Sequence, residues 1–385
     1  MHHITDSVIY VGVNDHSIDL FEGQYIVPKG ISYNAHIIMD EKIALMDTVD
    51  ARFTQPWLDQ VHEALQGKAP NYLIIAHLEP DHAGSILAAC RQYPNMQLVM
   101  SAKAQAMLPQ FIRDDFTMDI LAVKEGDSLS LGQHTLHFVL APMVHWPEVL
   151  ISYESTEKIL FSADAFGTFG ALDQQQEWLP EARRYYLNIV GKYGGPVQTL
   201  LKKASKLDIA MICPLHGPVL SENLPFYLEK YHTWSSYAPE EKGVFIAFGT
   251  LHGNTAGAAR YLCQLLQEQG VAVSIADLAR DDMAWALGEA FRYDKMVLAC
   301  PTYDGRFFPK MEDFLLHLKA KGYQKRQVHL IENGSWGPMA AKYMREYLSQ
   351  MTDINLSENV ITIKSTVSEE NKSQLRALAA LLSVQ

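Results

Sequence analysis

The hydrophobic pattern of the first part of the chain, up to about residue 240, favours many short strands with a few helices between them. The predicted strands are β-branched segments bounded by turn-forming residues, at 7–13, 33–39, 42–49, 72–76, 97–100, 119–123, 128–131 and 135–140. Trp57, Val61 and Leu65 stand at helical spacing and predict a helix over 54–65, and another helix is predicted over 84–90. Because consecutive strand pairs interrupt the strand–helix alternation, we expect a helix-flanked sandwich of two sheets.

The pattern changes near residue 240, where the polar, helix-breaking segment 238–243 follows a predicted helix over 224–237. Beyond it strands and helices alternate regularly, with strands predicted at 244–248, 272–276, 296–299, 327–331 and 360–363. Helices are predicted between them at 255–269, 284–291, 311–319 and 339–348, and at the C-terminal end. Five strands with crossover helices make a doubly wound parallel sheet. We therefore predict two domains, residues 1–242 and 243–385, which a length of 385 residues also favours.

One stretch of the first domain concentrates residues that bind metals. The apolar strand over 72–76 runs directly into His77, Glu79, Asp81 and His82. Alternate residues of an extended segment point the same way, so we expect His77, Glu79 and Asp81 to converge on one site, with a helix beginning near Ala83. A single histidine at a strand end is usually a surface or core residue. Four ligand-type residues within six positions favour a metal site instead.

Three more possible ligands follow apolar strands later in the same domain. They are His145, Asp164 and His216. Taken singly, Asp164 could cap a turn, and either histidine could be a hydrogen-bonded core residue. Their shared position at the carboxyl end of a strand is what favours a common site.

Composition and charge limit the partners of the chain. A formal charge of -12 argues against nucleic acid and anionic membranes, and 48% apolar with 20% charged residues is ordinary for a globular protein. The first residues lack the basic and apolar regions of a signal peptide. The cysteines form no C-x-x-C pair, which predicts buried thiols in a reducing cytoplasm and no rubredoxin-type module in this chain. We therefore expect a cytoplasmic protein.

The ligand pattern resembles the metallo-β-lactamase fold and, within it, the flavodiiron proteins. The chain contains H-x-E-x-D-H, then a histidine, an aspartate after 18 residues, and a histidine within P-x-H-G-P. Zinc hydrolases of this fold carry histidine where this chain has Glu79, and a carboxylate there suits iron better. The resemblance implies two irons with Asp164 as the bridge; His77, Glu79 and His145 would hold one iron, and Asp81, His82 and His216 the other.

Several aromatic residues lie close in sequence to these ligands. Trp146, Phe166 and Phe169 are candidates for an apolar pocket that admits a dissolved gas, whereas Tyr25 and Tyr193 are candidates for polar contacts to the bound molecule. Ordinary core packing is the alternative interpretation of all five.

The second domain resembles flavodoxin in three loops that leave the carboxyl ends of strands. The first brings hydroxyls and backbone amides to a helix N-terminus and suits a phosphate, and the other two suit a flavin ring. The dinucleotide fingerprint G-x-G-x-x-G is absent, so FMN is favoured over FAD or NAD. The residues expected to bind FMN are Thr250, Leu251, His252, Gly253, Asn254, Thr255, Pro301, Thr302, Tyr303, Asp304, Gly305, Asn333, Gly334, Ser335, Trp336 and Gly337.

The two resemblances together cover the whole chain and imply a flavodiiron oxidoreductase. Such an enzyme reduces O2 to water, NO to N2O, or both, with FMN feeding electrons to a non-haem diiron site. A separate electron donor is implied, rubredoxin with its reductase. Two alternatives stay open: a zinc-dependent metallo-β-lactamase-type hydrolase with a flavodoxin module, and a non-catalytic flavin carrier.

The placement of FMN and iron in separate domains predicts a head-to-tail homodimer, or a dimer of such dimers. Within one chain the cofactors would be too far apart for fast electron transfer, so the FMN of one subunit should lie beside the irons of another. Light scattering combined with activity measurements tests this expectation. A monomer that retained full activity would contradict it.

Overall fold

The computed structural model describes residues 2–113 and 117–384, which form two compact units. The first unit comprises Met1–Tyr186 and Gly195–His232, and the second comprises Leu187–Gly194 and Thr233–Gln385. The boundary predicted at residue 242 lies inside the strand Glu241–Phe248, and as a domain boundary it stays a prediction.

The first unit contains two large sheets. Within the described residues, one sheet has seven strands in the order His2–His3, Val8–Tyr10, His36–Ile38, Ala44–Met46, Tyr72–Ile74, Gln97–Ser101 and Ile120–Val123. The other has five, in the order Ser128–Ser130, Thr135–Leu140, Leu150–Glu154, Ile159–Phe161 and Met211–Cys213. Two small hairpins add the strands Val13–Asp15 with Ile31–Tyr33, and Leu20–Phe21 with Tyr25–Ile26.

One apolar core joins the facing surfaces of these two sheets. Val8, Ile38 and Ile74 of the seven-stranded sheet belong to the same buried cluster as Phe138 and Leu150 of the five-stranded sheet. Burying both faces is the main favourable contribution to the stability of such a sandwich. The sandwich predicted from the mixed strand pattern is therefore confirmed.

The helices up to residue 235 confirm some predictions and correct others. Their bounds are Ala51–Phe53, Thr54–Leu65, Pro80–Ala83, Ile86–Gln92, Ala102–Phe111, Trp178–Tyr185, Tyr186–Val190, Gly191–Tyr193, Gly194–Ala204 and Leu224–Ser235. The helix predicted over 54–65 is confirmed, and the one predicted over 84–90 is found two residues later as Ile86–Gln92, preceded by the short helix Pro80–Ala83. The helix Gly194–Ala204 was not predicted, because its Gly-Gly-Pro start is typical of a loop. Proline is nevertheless tolerated in the first turn of a helix.

The second unit has the predicted doubly wound sheet. Its parallel strands run in the order Val273–Asp277, Glu241–Phe248, Tyr293–Tyr303, Arg326–Asn333 and Ile354–Ile363, with Arg306–Phe307 antiparallel to the third of these. Its helices are Asn254–Glu268, Met283–Arg292, Pro309–Ala320, Ala340–Leu348 and Glu369–Ser383. No helix in the described part of the chain combines the length and the apolar character that crossing a membrane requires.

His36 is an unusual member of the first core. Its side chain is only 3% exposed, and its ring lies 5.5 Å from that of Tyr10 and 5.6 Å from that of Phe161. Nε2 of His36 has no hydrogen-bond partner. Burial, and secondarily the charge of His2, lowers the pKa of His36 to about 3, so the folded protein keeps this imidazole neutral.

Replacing His36 with leucine is expected to make folding less sensitive to acid. The unfolded chain binds a proton at this histidine near its ordinary pKa of 6.5, whereas the folded chain does so only near pH 3. Stability is therefore lost as the pH falls between these values, with a slope of up to about 1.4 kcal/mol per pH unit. Urea unfolding of both proteins between about pH 7 and pH 5 measures this slope.

His62→Leu removes an imidazole at an exposed position and is the control for the loss of a histidine in itself. Equal slopes for the wild type and His36→Leu would contradict the assignment.

Candidate metal centre and flavin cavity

Ligand candidates from both sheets of the first unit meet at one edge of the sandwich. His77 follows the strand Tyr72–Ile74 of one sheet, and residues that follow strands of the other sheet are His145, Asp164 and His216. The backbone N–H of Leu150 donates to the carbonyl of Ala76 at 2.9 Å, so the two sheets are tied together directly beside His77. The fold thus brings together residues far apart in sequence.

The seven predicted ligands form two adjacent groups. In the first, the Glu79 carboxylate lies 3.1 Å from Nε2 of His77 and 3.1 Å from Nε2 of His145. In the second, one oxygen of Asp81 lies 3.3 Å from Nε2 of His216 and 3.5 Å from Nε2 of His82. His82 is buried and has its Nε2 only 3.0 Å from that of His216.

Asp164 is shared between the two groups. Its Oδ2 atom lies 3.4 Å from Nε2 of both His77 and His145. Its Oδ1 atom lies 3.6 Å from Nε2 of His216 and 3.8 Å from Nε2 of His82. One carboxylate therefore faces both groups with a different oxygen, which is the arrangement that a bridging ligand requires.

The distances and the missing hydrogen bonds both fit metal ions. A metal about 2.1 Å from each donor separates neighbouring donors by about 3.0 to 3.4 Å, close to the separations found here. Both carboxylate oxygens of Asp81 and of Asp164, and Nε2 of His145, are buried without a hydrogen-bond partner. Buried polar atoms are almost always hydrogen-bonded, so this cluster of exceptions points to cations as the partners.

One sequence prediction about this region is wrong. Asp81 was expected to point with His77 and Glu79 from one extended segment, but it lies in the helix Pro80–Ala83 and joins the other group. Pro80 starts this helix, because its fixed φ suits the first helical position. The chain therefore turns after Glu79, and consecutive pairs of predicted ligands belong to different groups.

Hydrogen bonds on the far side of two imidazoles fix their orientation. Nδ1 of His216 donates to the carbonyl of Ser32 at 2.7 Å, and Nδ1 of His77 lies 2.8 Å from Oε1 of Glu148. Because a carbonyl only accepts, the neutral His216 ring carries its proton on Nδ1 and presents a free lone pair at Nε2. Glu148, which also accepts from the backbone N–H of Leu78, holds His77 in the same way. Sequence reasoning missed Glu148, although it stands three residues after His145.

The charges of the cluster favour bound cations. Burial alone would raise the pKa of Glu79, but the adjacent imidazoles of His145 and His77 lower it to about 2. Burial lowers the pKa of His145, yet Asp164 and Glu79 raise it to about 9. Burial likewise opposes ionisation of Asp164, and His77 and His145 together bring its pKa well below the usual range. Without a metal, protons on imidazoles thus balance the carboxylates, and metal binding would release them.

Aromatic rings cover the cluster and keep it dry. Trp146 lies edge-on to His77 at 5.0 Å, and Phe21 lies 5.4 Å from His216. Phe169 packs against Phe21 and Tyr185, at 5.7 and 5.2 Å. These contacts agree with the predicted apolar pocket for Trp146 and Phe169. Phe166 stacks instead on Tyr231 at 4.1 Å, which is ordinary core packing.

A tyrosine that the sequence did not indicate packs against the predicted ligands, with its ring 5.6 Å from that of His216. Tyr185, at the end of the helix Trp178–Tyr185, is 1% exposed, and its pKa is raised well above the ordinary value by burial and then by the charges of Asp164, Asp81 and Glu79. Tyr25 lies further out, with its ring 6.0 Å from that of Phe169. Tyr193 belongs to the segment Leu187–Gly194 of the second unit. Polar contacts of Tyr25 or Tyr193 to a bound molecule stay predictions.

The three predicted flavin loops of the second unit surround one cavity of about 510 Å³. Small-molecule sites in proteins have volumes of about 300 to 1,000 Å³, so a mononucleotide would fit. Of the sixteen predicted FMN residues, all but Gly253 and Tyr303 line this cavity, and Ser365 is an addition. Trp336 lines this cavity with its side chain 97% exposed, and its contact with a flavin stays a prediction.

The backbone around this cavity is suited to binding a phosphorylated ligand. Gly253 has a φ of +93°, which glycine adopts readily, and the helix Asn254–Glu268 begins directly after it, with Asn254 and Thr255 of its first turn at the cavity. Asn333 and Ser365 exchange hydrogen bonds of 2.9 and 3.0 Å, which hold a fourth loop against the third. Sequence reasoning missed Ser365, because it follows the last strand and carries no motif.

Comparisons with known proteins show what the two units resemble. A family model described as ODP family beta lactamase matches residues 31–217. The rubredoxin-oxygen oxidoreductase of Megalodesulfovibrio gigas is 27% identical over 390 residues, covering 98% of this chain and 96% of that protein. The nitric oxide reductase of Moorella thermoacetica is 29% identical over 356 residues, covering 90% and 88%.

A solved structure extends the agreement to the whole fold. The rubredoxin oxygen:oxidoreductase of Desulfovibrio gigas superimposes with a TM-score of 0.91 at 25% identity, covering 99% of this chain and 97% of that one. The predicted order of folds, a metallo-β-lactamase-like sandwich followed by a flavodoxin-like sheet, is confirmed.

The substitution Glu148→Gln is expected to weaken metal binding by about 10- to 100-fold, the usual effect of removing a carboxylate that supports a metal-bound histidine. Glutamine still offers an oxygen to Nδ1 of His77, but it carries no charge to hold the imidazole. Competition with a chelator for bound iron measures the affinity. Glu63→Gln, at an exposed glutamate, is the control, and equal affinities of wild type and Glu148→Gln would contradict the role.

Proposed function

We propose that this chain, whose resemblance to flavodiiron proteins the comparisons confirm along nearly its full length, is an oxidoreductase that reduces O2 to water, NO to N2O, or both. The observation that supports this most directly is the pair of ligand groups that share Asp164, in a chain that also carries a flavin-sized cavity. Glu79 in place of a histidine favours iron over zinc in these groups.

The residues of the metal centre have separate roles in this proposal. His77, Glu79 and His145 would hold one iron, Asp81, His82 and His216 would hold the other, and Asp164 would face both. When bound, the diiron pair and FMN supply open coordination positions for a diatomic gas and the electrons to reduce it. Trp146 and Phe169 keep bulk water away from the ligands, which strengthens every electrostatic interaction among them.

Tyr185 is suited to hold a proton for the reaction. Both reductions consume protons as well as electrons, and the raised pKa of Tyr185 keeps Oη protonated among the carboxylates. A neutral phenol beside a charged cluster donates a hydrogen bond without adding charge to it.

The loops around the 510 Å³ cavity would bind FMN. The first turn of the helix Asn254–Glu268 offers its N–H groups to the phosphate, and Thr255 adds a hydroxyl at the same place. Loops containing Thr302 and Asn333 would border the ring.

Three further features complete the proposal. Electrons come from a separate donor, which we propose to be rubredoxin with its reductase, since two relatives carry rubredoxin in their names. The active form is a head-to-tail homodimer or a dimer of dimers. A cytoplasmic location is supported by four free, buried cysteines.

Anaerobic single-turnover kinetics test the function. Protein loaded with iron and FMN is photoreduced and mixed separately with O2 and with NO. We expect at least one gas to reoxidise it much faster than it reoxidises free reduced FMN, because the metal centre provides a faster route. The gas that reacts rapidly identifies the substrate.

A matched pair of variants makes this test specific. Asp164→Asn, at the shared carboxylate, should lose the rapid phase, whereas Asp173→Asn, at an exposed carboxylate, should keep it. Reoxidation no faster than that of free flavin with either gas would contradict the proposal. Zinc rather than iron in the purified protein would then favour the hydrolase.

A further inference from the structure

A third cluster of ligand-type side chains lies away from the proposed diiron centre. It consists of His134, Glu154 and Glu157, called here the His134 cluster, whose ligand atoms lie within 4.8 Å of one another. His134 precedes the strand Thr135–Leu140, and Glu154 ends the strand Leu150–Glu154. The cluster is therefore at the opposite end of these strands from His145, about 20 Å of strand away.

Backbone hydrogen bonds hold the segments of the His134 cluster together before any ligand binds. Ser155 N–H donates to the carbonyl of Thr135 at 3.1 Å, and the Thr156 hydroxyl donates to that of Gln133 at 2.9 Å. The Glu154 carboxylate accepts from the N–H groups of Thr156 and Glu157 at 2.8 and 2.6 Å. The side chains are thus presented by a fixed turn.

His134 has the same unsatisfied geometry as a ligand of the main centre. Its side chain is 6% exposed, and its Nδ1 lies 3.1 Å from Oε1 of Glu154 without forming a hydrogen bond. Nε2 of His145 likewise lies 3.1 Å from the Glu79 carboxylate and has no hydrogen-bond partner. A buried nitrogen this close to a carboxylate, but misaligned with it, fits two donors on one cation.

The charges around His134 exceed what one proton can balance. Glu154 is fully buried, Glu157 is partly buried, and Asp40 accepts from the backbone N–H of His134 at 2.7 Å. No lysine or arginine within residues 2–113 and 117–384 forms an ion pair with Glu154 or Glu157. Protonating the imidazole would balance one negative charge, whereas the buried carboxylate of Glu154 and the partly buried one of Glu157 together carry two.

We propose that the His134 cluster binds a divalent cation of the Zn²⁺ type as a structural site. One imidazole and two carboxylates are ligands that Zn²⁺ uses, with a water in the fourth position. The Glu157 carboxylate also accepts from the hydroxyls of Thr5 and Ser7 at 2.7 and 2.8 Å. The ion would therefore tie the N-terminal segment to two turns of the five-stranded sheet and stabilise the first unit.

Metal analysis of the full-length, iron-loaded protein tests this site. Protein that already contains two irons per chain is titrated with Zn²⁺, and bound Zn²⁺ and iron are both counted. We expect one Zn²⁺ per chain without loss of iron, and a melting temperature a few degrees higher, because an ion that binds only the folded state stabilises it. Anomalous diffraction at the zinc edge should place the ion beside His134.

Two variants and one control test whether Zn²⁺ uptake depends on the residues of the His134 cluster. Glu157→Gln keeps an acceptor for Thr5 and Ser7 but removes a charge, and His134→Gln removes the nitrogen ligand. Both should lose the Zn²⁺ and the rise in melting temperature while keeping two irons and the gas-reduction activity. His16→Gln, which alters an exposed His–Asp pair, should bind Zn²⁺ normally.

Failure of this site is distinguishable from failure of the proposed function, because iron content and gas reduction are measured separately. No Zn²⁺ uptake by the iron-loaded wild type would overturn the proposal. Undiminished uptake in both variants, or an anomalous peak elsewhere, would do the same.

Discussion

The first unit depends on the mutual neutralisation of buried charges at the edge of its sandwich. Glu79, Asp81 and Asp164 are carboxylates withdrawn from most or all water, and such groups are costly unless cations face them. Imidazoles from both sheets converge on these carboxylates, so the charges also hold the sheets in register there. A cluster of this kind contributes little net stability by itself, but breaking one partner leaves the others unpaired.

Most of the fold could be predicted from the sequence, because the strands and helices of the second unit follow simple hydrophobic periodicities. Strand Val273–Asp277 and helix Met283–Arg292 lie within a residue or two of the predicted bounds. The first unit was harder, since strands of three residues leave almost no period to detect. Asp81 shows the limit of local reasoning: the alternation of an extended segment predicts one site, whereas a single turn of helix after Glu79 separates two.

The residues of the candidate site likewise fall into those that the sequence indicated and those that it did not. Residues with unusual chemistry in a tight spacing, such as His77 and His82, were recognisable in the sequence. Glu148, Tyr185 and Ser365 were missed, because each becomes relevant only through a neighbour that folding supplies: Nδ1 of His77, the three carboxylates, and Asn333. Isolated Glu, Tyr and Ser residues occur throughout any chain, and only tertiary structure distinguishes these.

The order of the ligand groups along the chain has an evolutionary consequence. Ligands of the two proposed iron sites alternate, with His77 and Glu79 followed by Asp81 and His82, then His145, the shared Asp164, and His216. No single cut in the gene would therefore place all ligands of one proposed iron site on one side and all ligands of the other site on the other side. The proposed diiron centre can therefore only be inherited, altered or lost as a whole.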